Sequence, residues 1–243
     1  MLQTIKRWFS GSPGNDWTAA QEWAEQRRFS FKRTRDSAGF VIDAGTASTG
    51  WRMEWGPSQR PYISGSELRL RGEIGAVDLQ MVVLSRQLME AMEKAVFEQF
   101  TEGLQTRADT STPEEMRWLV MFPKVPTNEL RGMREHFGAA SSVPLWLPQW
   151  LDGPLAAELK QARATWLAAE DPLALVIQRG RLTLRTAMPT LDAARLTAVL
   201  ALFDVALREA RRIAQQWTDN GVASTQPALW SSSGPPSGDS KIG

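Results

Sequence analysis

The chain has 243 residues, with 28 Lys plus Arg against 27 Asp plus Glu, and no cysteine. That balance excludes a global field drawing in nucleic acid or an acidic membrane, and the missing thiols exclude disulfides, thiolate metal sites and cysteine nucleophiles. A hydrophobic share of 42% and a charged share of 23% are those of a folded globular chain.

At the N-terminus, Leu2, Ile5, Trp8 and Phe9 fall on one side of a short amphipathic helix, with Lys6 and Arg7 on the other. A helix this short needs something apolar to lie against, so the peptide, with a linker to residue 14, is expected to fray or dock on its own domain, with a membrane surface or a partner protein as the alternatives. A helix is predicted over about 16–27, capped by Asn15 or Asp16. The strands "FSFKRTR" (29–35) and "GFVIDA" (39–44) follow as an antiparallel hairpin. Residues 51–55 and 67–74 alternate apolar and charged positions, so each predicts a half-buried strand with one wet face.

"LQMVVLS" (79–85) predicts a fifth strand leading directly into a helix over about 86–104, where Leu88, Met92, Val96, Phe100 and Leu104 recur every four residues. Thr112, Pro113 and Glu115 resemble a capping box, predicting a short helix that gives way to extended chain before Pro123. Residues 128–137 are expected to be helical, capped by Thr127 and stopped by Gly138. Helix is also expected over 144–168, interrupted at 152–154. Residues 173–178 and 181–187 predict a hairpin, followed by a long amphipathic helix over about 190–217. The polar tail 219–243 reads as disordered.

The resulting fold class is α+β: antiparallel hairpins packed on amphipathic helices, with two loosely similar sheet-then-helix units. Residues 15–218 form the body, with 15–106 and 107–218 as candidate sub-units. No stretch is long and apolar enough to span a bilayer, and the N-terminus lacks the apolar region of a secretory signal. The expected location is cytoplasmic, with a peripheral position on the inner membrane face as the variant.

Chemical motifs are scarce. His136 is the only histidine, which disfavours a catalytic zinc site or a Ser-His-Asp triad, and no G-x-S-x-G elbow is present. Neither nucleotide-binding glycine fingerprint occurs. Adjacent Glu114 and Glu115 read as acids favoured in a helix's first turn. "RRFSFKRTR" has the composition of a nucleic-acid contact, but Phe29 and Phe31 fit the buried face of a strand. Catalytic, cofactor and metal residues are therefore assigned to none, and an enzyme is disfavoured. The eleven tryptophans read as core filling, with a Trp-lined ligand pocket as a further alternative.

Between the two alternating strands lies "GPSQRPYISGS" (56–66), longer than a tight hairpin needs and stiffened by Pro57 and Pro61. Ser58, Gln59, Arg60 and Tyr62 are its candidate partner-binding groups, because a rigid loop presenting Arg and Tyr has the chemistry of a binding hot spot. The alternative is structural: Arg60 reaches a carboxylate of its own domain while Tyr62 packs down.

The segments "EWGPSQRPYISGSELRLR", "FEQFTEG", "TPEEMRWLVMFPK" and "LVIQRGRLTLRT" resemble an uncharacterised family of conserved bacterial proteins with no assigned function, over about residues 17–217. The resemblance implies a bacterial, single-chain cytoplasmic protein and no site. The leading expectation is thus a non-enzymatic protein-interaction module using the 56–66 loop, with a protein partner. A peripheral membrane protein anchored by residues 1–9 and a small-ligand binder or enzyme stand behind it. No cofactor is expected, nucleic acid is disfavoured, and oligomeric state is not readable from the sequence.

Overall fold

The structure is a computed structural model, and it describes residues 17–36, 38–46, 50–102, 112–124 and 133–219. The expectations for the N-terminal peptide, including Leu2, Ile5, Lys6, Arg7, Trp8 and Phe9, and for the tail beyond 219 lie outside the described residues. In chain order the elements are α1 (Thr18–Gln26), β1 (Ser30–Arg33), β2 (Phe40–Ala44), β3 (Trp51–Pro57), β4 (Ser66–Glu73), β5 (Met81–Ser85), α2 (Arg86–Glu102) and α3 (Glu114–Met121). They continue with β6 (Phe137–Ser141), α4 (Trp146–Leu151), α5 (Pro154–Thr165), β7 (Leu173–Gln178), β8 (Arg181–Ala187) and α6 (Ala193–Asp219). The fold is α+β.

All eight strands join one antiparallel sheet in the order β1-β2-β3-β4-β8-β7-β5-β6. The C-terminal hairpin β7–β8 sits between β4 and β5, so the two predicted sheet-then-helix units share a single sheet. Alternation along each strand sends Met53, Trp55, Leu68, Leu70, Leu182 and Leu184 to one face, where they are buried. Helices α1, α4, α5 and α6 cover that face, α6 with Leu196, Val199, Phe203, Leu207, Ala210 and Ile213. Gly72 lets β4 and α6 approach closely, because a Cβ there would come within 2.7 Å of Leu207 Cδ2.

Tryptophan fills much of this core, and three buried indoles satisfy their N–H groups across it, Trp23 on Thr197 Oγ1 of α6 at 2.8 Å. Trp55 Nε1 donates to the Met188 carbonyl at 2.8 Å and Trp150 Nε1 to the Ala206 carbonyl at 3.0 Å.

The opposite face is divided. On β5, β6 and β7, Val82, Leu84, Ala140, Ala174 and Val176 are buried beneath Leu88, Met89, Met92 and Val96 of α2 and Met116, Trp118 and Leu119 of α3. On β3, β4 and β8, the alternate positions are instead Arg52, Glu54, Glu67, Arg69, Arg71, Glu73, Arg181, Thr183 and Arg185. Helix α3 reaches this charged half with its first turn.

Three local expectations are corrected. Gly138 does not stop a helix: residues 133–136 form a turn and Phe137–Ser141 is strand β6, while 127–132 lie outside the described residues. "FGAAS" has little strand propensity of its own; pairing with β5 and close contact with α2 decide its state. A Cβ on Gly138 would lie 2.0 Å from Met89 Sδ. The capping box does not form, since α3 starts after Pro113 with no side-chain cap and Glu115 points to other partners. Helix α1 starts at Thr18, after Trp17 and again without a side-chain cap, slightly later than expected, while Asn15 and Asp16 lie outside the described residues.

Candidate functional site

The segment after β3 is closed by short-range hydrogen bonds. Ser58 N–H donates to the Gly65 carbonyl at 2.9 Å, Arg60 N–H donates to Ser58 Oγ at 3.1 Å, and Ile63 is buried beneath the loop. Glu67, on β4, accepts the Gln59 backbone N–H at 2.9 Å and pairs with Arg185 of β8. Both members of that pair are buried.

Two of the predicted loop residues converge on one carboxylate. Arg60 Nε donates to Glu115 Oε1 at 2.5 Å, and the Tyr62 hydroxyl donates to the same oxygen at 2.6 Å. Burial opposes ionisation of Glu115, but the Tyr62 hydrogen bond and the Arg60 cation outweigh it and hold the carboxyl below its ordinary value. Burial, and then the Glu115 charge, push the Tyr62 phenol up. The loop is thereby fastened to α3, with Gln59 turned toward Arg69.

Beyond this clamp lies the charged half of the sheet. Glu54 accepts from three guanidiniums, those of Arg52, Arg69 and Arg71. Strand register sets Arg52 directly across from Arg71, and Arg69 directly across from Arg185. Like charges placed opposite each other destabilise a sheet. Burial, followed by repulsion from Arg185, Arg71 and Arg52, pushes the Arg69 guanidinium down to about 10. Arg71 is lowered as well, by burial and then by Arg52 and Arg181. Both remain cations at neutral pH. Arg69 Nε is buried and has no hydrogen-bond partner among the described residues.

These groups line an open groove of about 460 Å³ whose wall includes six arginines (Arg60, Arg69, Arg71, Arg179, Arg181 and Arg185) and one carboxylate, Glu115. Neither an aromatic ring nor a histidine lines it. Two neighbouring depressions, of about 280 and 390 Å³, share walls with it: the first through Gln59 and Arg69, the second through Arg71 and Arg181. Arg179 occupies the β7–β8 turn with φ 51°, followed by Gly180 at φ 71°, and is exposed. Guanidinium forks suit carboxylate or phosphate oxygens, and a volume of this size admits a small anion or a few residues of peptide.

Other predicted features lie elsewhere. His136 is exposed in the turn before β6. Among the described residues, no group of three His, Cys, Asp or Glu side chains is placed to hold a metal. None of the three depressions carries more than one tryptophan.

Sequence alone reads Glu54, Arg69 and Arg71 only as wet strand positions and Glu115 only as an acid at a helix start, and it assigns Arg181 and Arg185 no role. Their signal was the polar register of "ELRLRGE" and "RLTLR", which marks a wet strand face. It does not say that β4 and β8 are neighbours. Comparison with protein-family models, curated proteins and solved structures finds no match for this chain.

Proposed function

We propose that the protein is a non-enzymatic recognition module that captures an anionic partner in the arginine groove. The carrying observation is the excess of guanidinium over carboxylate on a sheet face where three arginines share Glu54 and two Arg–Arg pairs face each other across strands. An anion entering there relieves that repulsion and gains charge-assisted, bidentate hydrogen bonds.

This reading moves the recognition surface from the loop to the sheet. Arg60 and Tyr62 serve as the fastening that positions Gln59 and α3 at the groove's rim, since both spend a hydrogen bond on Glu115. Binding is favoured over catalysis because Glu54, Glu67 and Glu115 are each held by arginine. A carboxylate held below its ordinary value is a poor proton acceptor near neutral pH.

The test is fluorescence anisotropy with labelled poly-L-glutamate, heparin and oligothymidylate at roughly 50 and 300 mM salt. Wild type is compared with the Arg71→Gln/Arg181→Gln double variant and with Arg208→Gln, an exposed charge on α6 behind the sheet. At least one polyanion is expected to bind, weaken with salt, and lose affinity only in the double variant. Absence of binding, or equal loss in Arg208→Gln, overturns the reading.

A further inference from the structure

The arginines are not scattered over the face but spaced by strand geometry. Arg69 and Arg71 point the same way from β4, two residues apart, so their Cα atoms stand about 6.7 Å from each other. Arg181 and Arg185 mark the same face of β8, with Thr183 between them. The three depressions join through shared arginine walls into one elongated surface rather than a closed pocket.

A ligand that matches this layout carries negative groups at the same repeat. An extended peptide does so when acidic residues alternate with others, because its every second side chain emerges on one face at about 6.7 Å spacing. Among the described residues the central groove has no aromatic platform on which nucleobases could stack, and Phe40, Trp55 and Trp51 of the neighbouring depressions are spent on the core. It is also too open to enclose a single phosphate group, whereas a chain running along the face would pass Arg69 and Arg71 of β4 and Arg181 and Arg185 of β8 in turn.

We propose that the groove's ligand is an extended peptide segment of a partner protein bearing carboxylates on alternate residues, which lies along β4 and β8 and pairs with the solvent-facing Arg71, Arg179 and Arg181 over the largely buried Arg69 and Arg185. This rests on the reading of the groove as an anion site. Arg71 and Arg181 are held in place by Glu54 and Glu73 yet keep part of their surface in solvent, and the exposed Arg179 stands at the groove's end.

The experiment compares labelled peptides of identical composition, one alternating Glu and Thr and one with the glutamates in a block, alongside oligothymidylate and pyrophosphate as competitors. The alternating peptide is expected to bind roughly tenfold more tightly than the block, a difference of about 1.4 kcal/mol. That preference should vanish in Arg71→Gln/Arg181→Gln, fall in Arg179→Asn and persist in Arg208→Gln, with melting curves confirming that each variant folds. Equal binding of the two peptides, tighter binding of either phosphate compound, or no peptide binding overturns the proposal. If poly-L-glutamate or heparin still binds through Arg71 and Arg181, the anion reading survives and only the extended-peptide assignment falls.

Discussion

Glu115, on the first turn of α3, accepts a 2.5 Å hydrogen bond from Arg60 Nε, 55 residues earlier in the chain. This one contact ties the β3–β4 loop to the α2–α3 layer on the charged side of the sheet. Glu115 is buried while Arg60 keeps part of its surface in solvent, so the two ends of the pair are not equally costly to lose.

Both single changes are damaging, for different reasons. Glu115→Ala leaves Arg60 and the Tyr62 hydroxyl without their shared acceptor, and a loss of about 2 to 4 kcal/mol is expected, moderated because Arg60 can hydrate. Arg60→Ala leaves a buried carboxylate with Tyr62 alone and is expected to cost about 3 kcal/mol. Thermal unfolding of both singles and the double gives the coupling energy, expected at about 1 kcal/mol or more. A coupling near zero would mean that the loop is held without this pair.

The same pair sets an acid dependence. Glu115 is held below its ordinary value of 4.5, so its stabilisation is complete above that pH and fades as pH falls through the lower folded value. The difference in urea midpoint between wild type and Glu115→Gln should be constant near neutrality and shrink below about pH 4.5. A difference that grew on acidification would contradict the direction of the shift.

Glu54 is expected to be more important at low salt than at high salt. Glu54→Gln removes the carboxylate shared by Arg52, Arg69 and Arg71, leaving their mutual repulsion uncompensated. Destabilisation of about 3 kcal/mol is expected at low ionic strength, with partial recovery at roughly 0.5 M salt. Melting temperature against salt concentration for the variant and wild type measures it.

Arg179 offers the opposite outcome. Its left-handed φ of 51° beside Gly180 is a conformation that asparagine tolerates better than arginine. Arg179→Asn should therefore hold or raise stability by about 0.5 kcal/mol while weakening anion binding. Chemical denaturation and polyanion titration on the same preparation separate the two effects.

Much of the fold was legible from local pattern. Alternation in 51–55 and 67–74, the apolar run 81–84 and the long stripe of 193–219 each encode which side chains face a core, and a strand or helix of that period follows. The "RG" turn between 178 and 181 was likewise readable. Strand β6 was misread because Phe137–Ser141 contains small residues with little preference, and its partner β5 lies some fifty positions earlier.

The candidate site follows the same division. Local pattern alone puts the arginines of "ELRLRGE" and of "RLTLR" on one face of their strands, because side chains alternate every residue. It also made the 56–66 loop conspicuous, with Arg60 and Tyr62 as its polar groups. That Arg60 and Tyr62 turn to Glu115, and that β8 pairs with β4 so that Arg69 meets Arg185, is a matter of long-range packing. Those meetings depend on strand order, which is set by burying the apolar face beneath α1, α4, α5 and α6, and no local spacing encodes it.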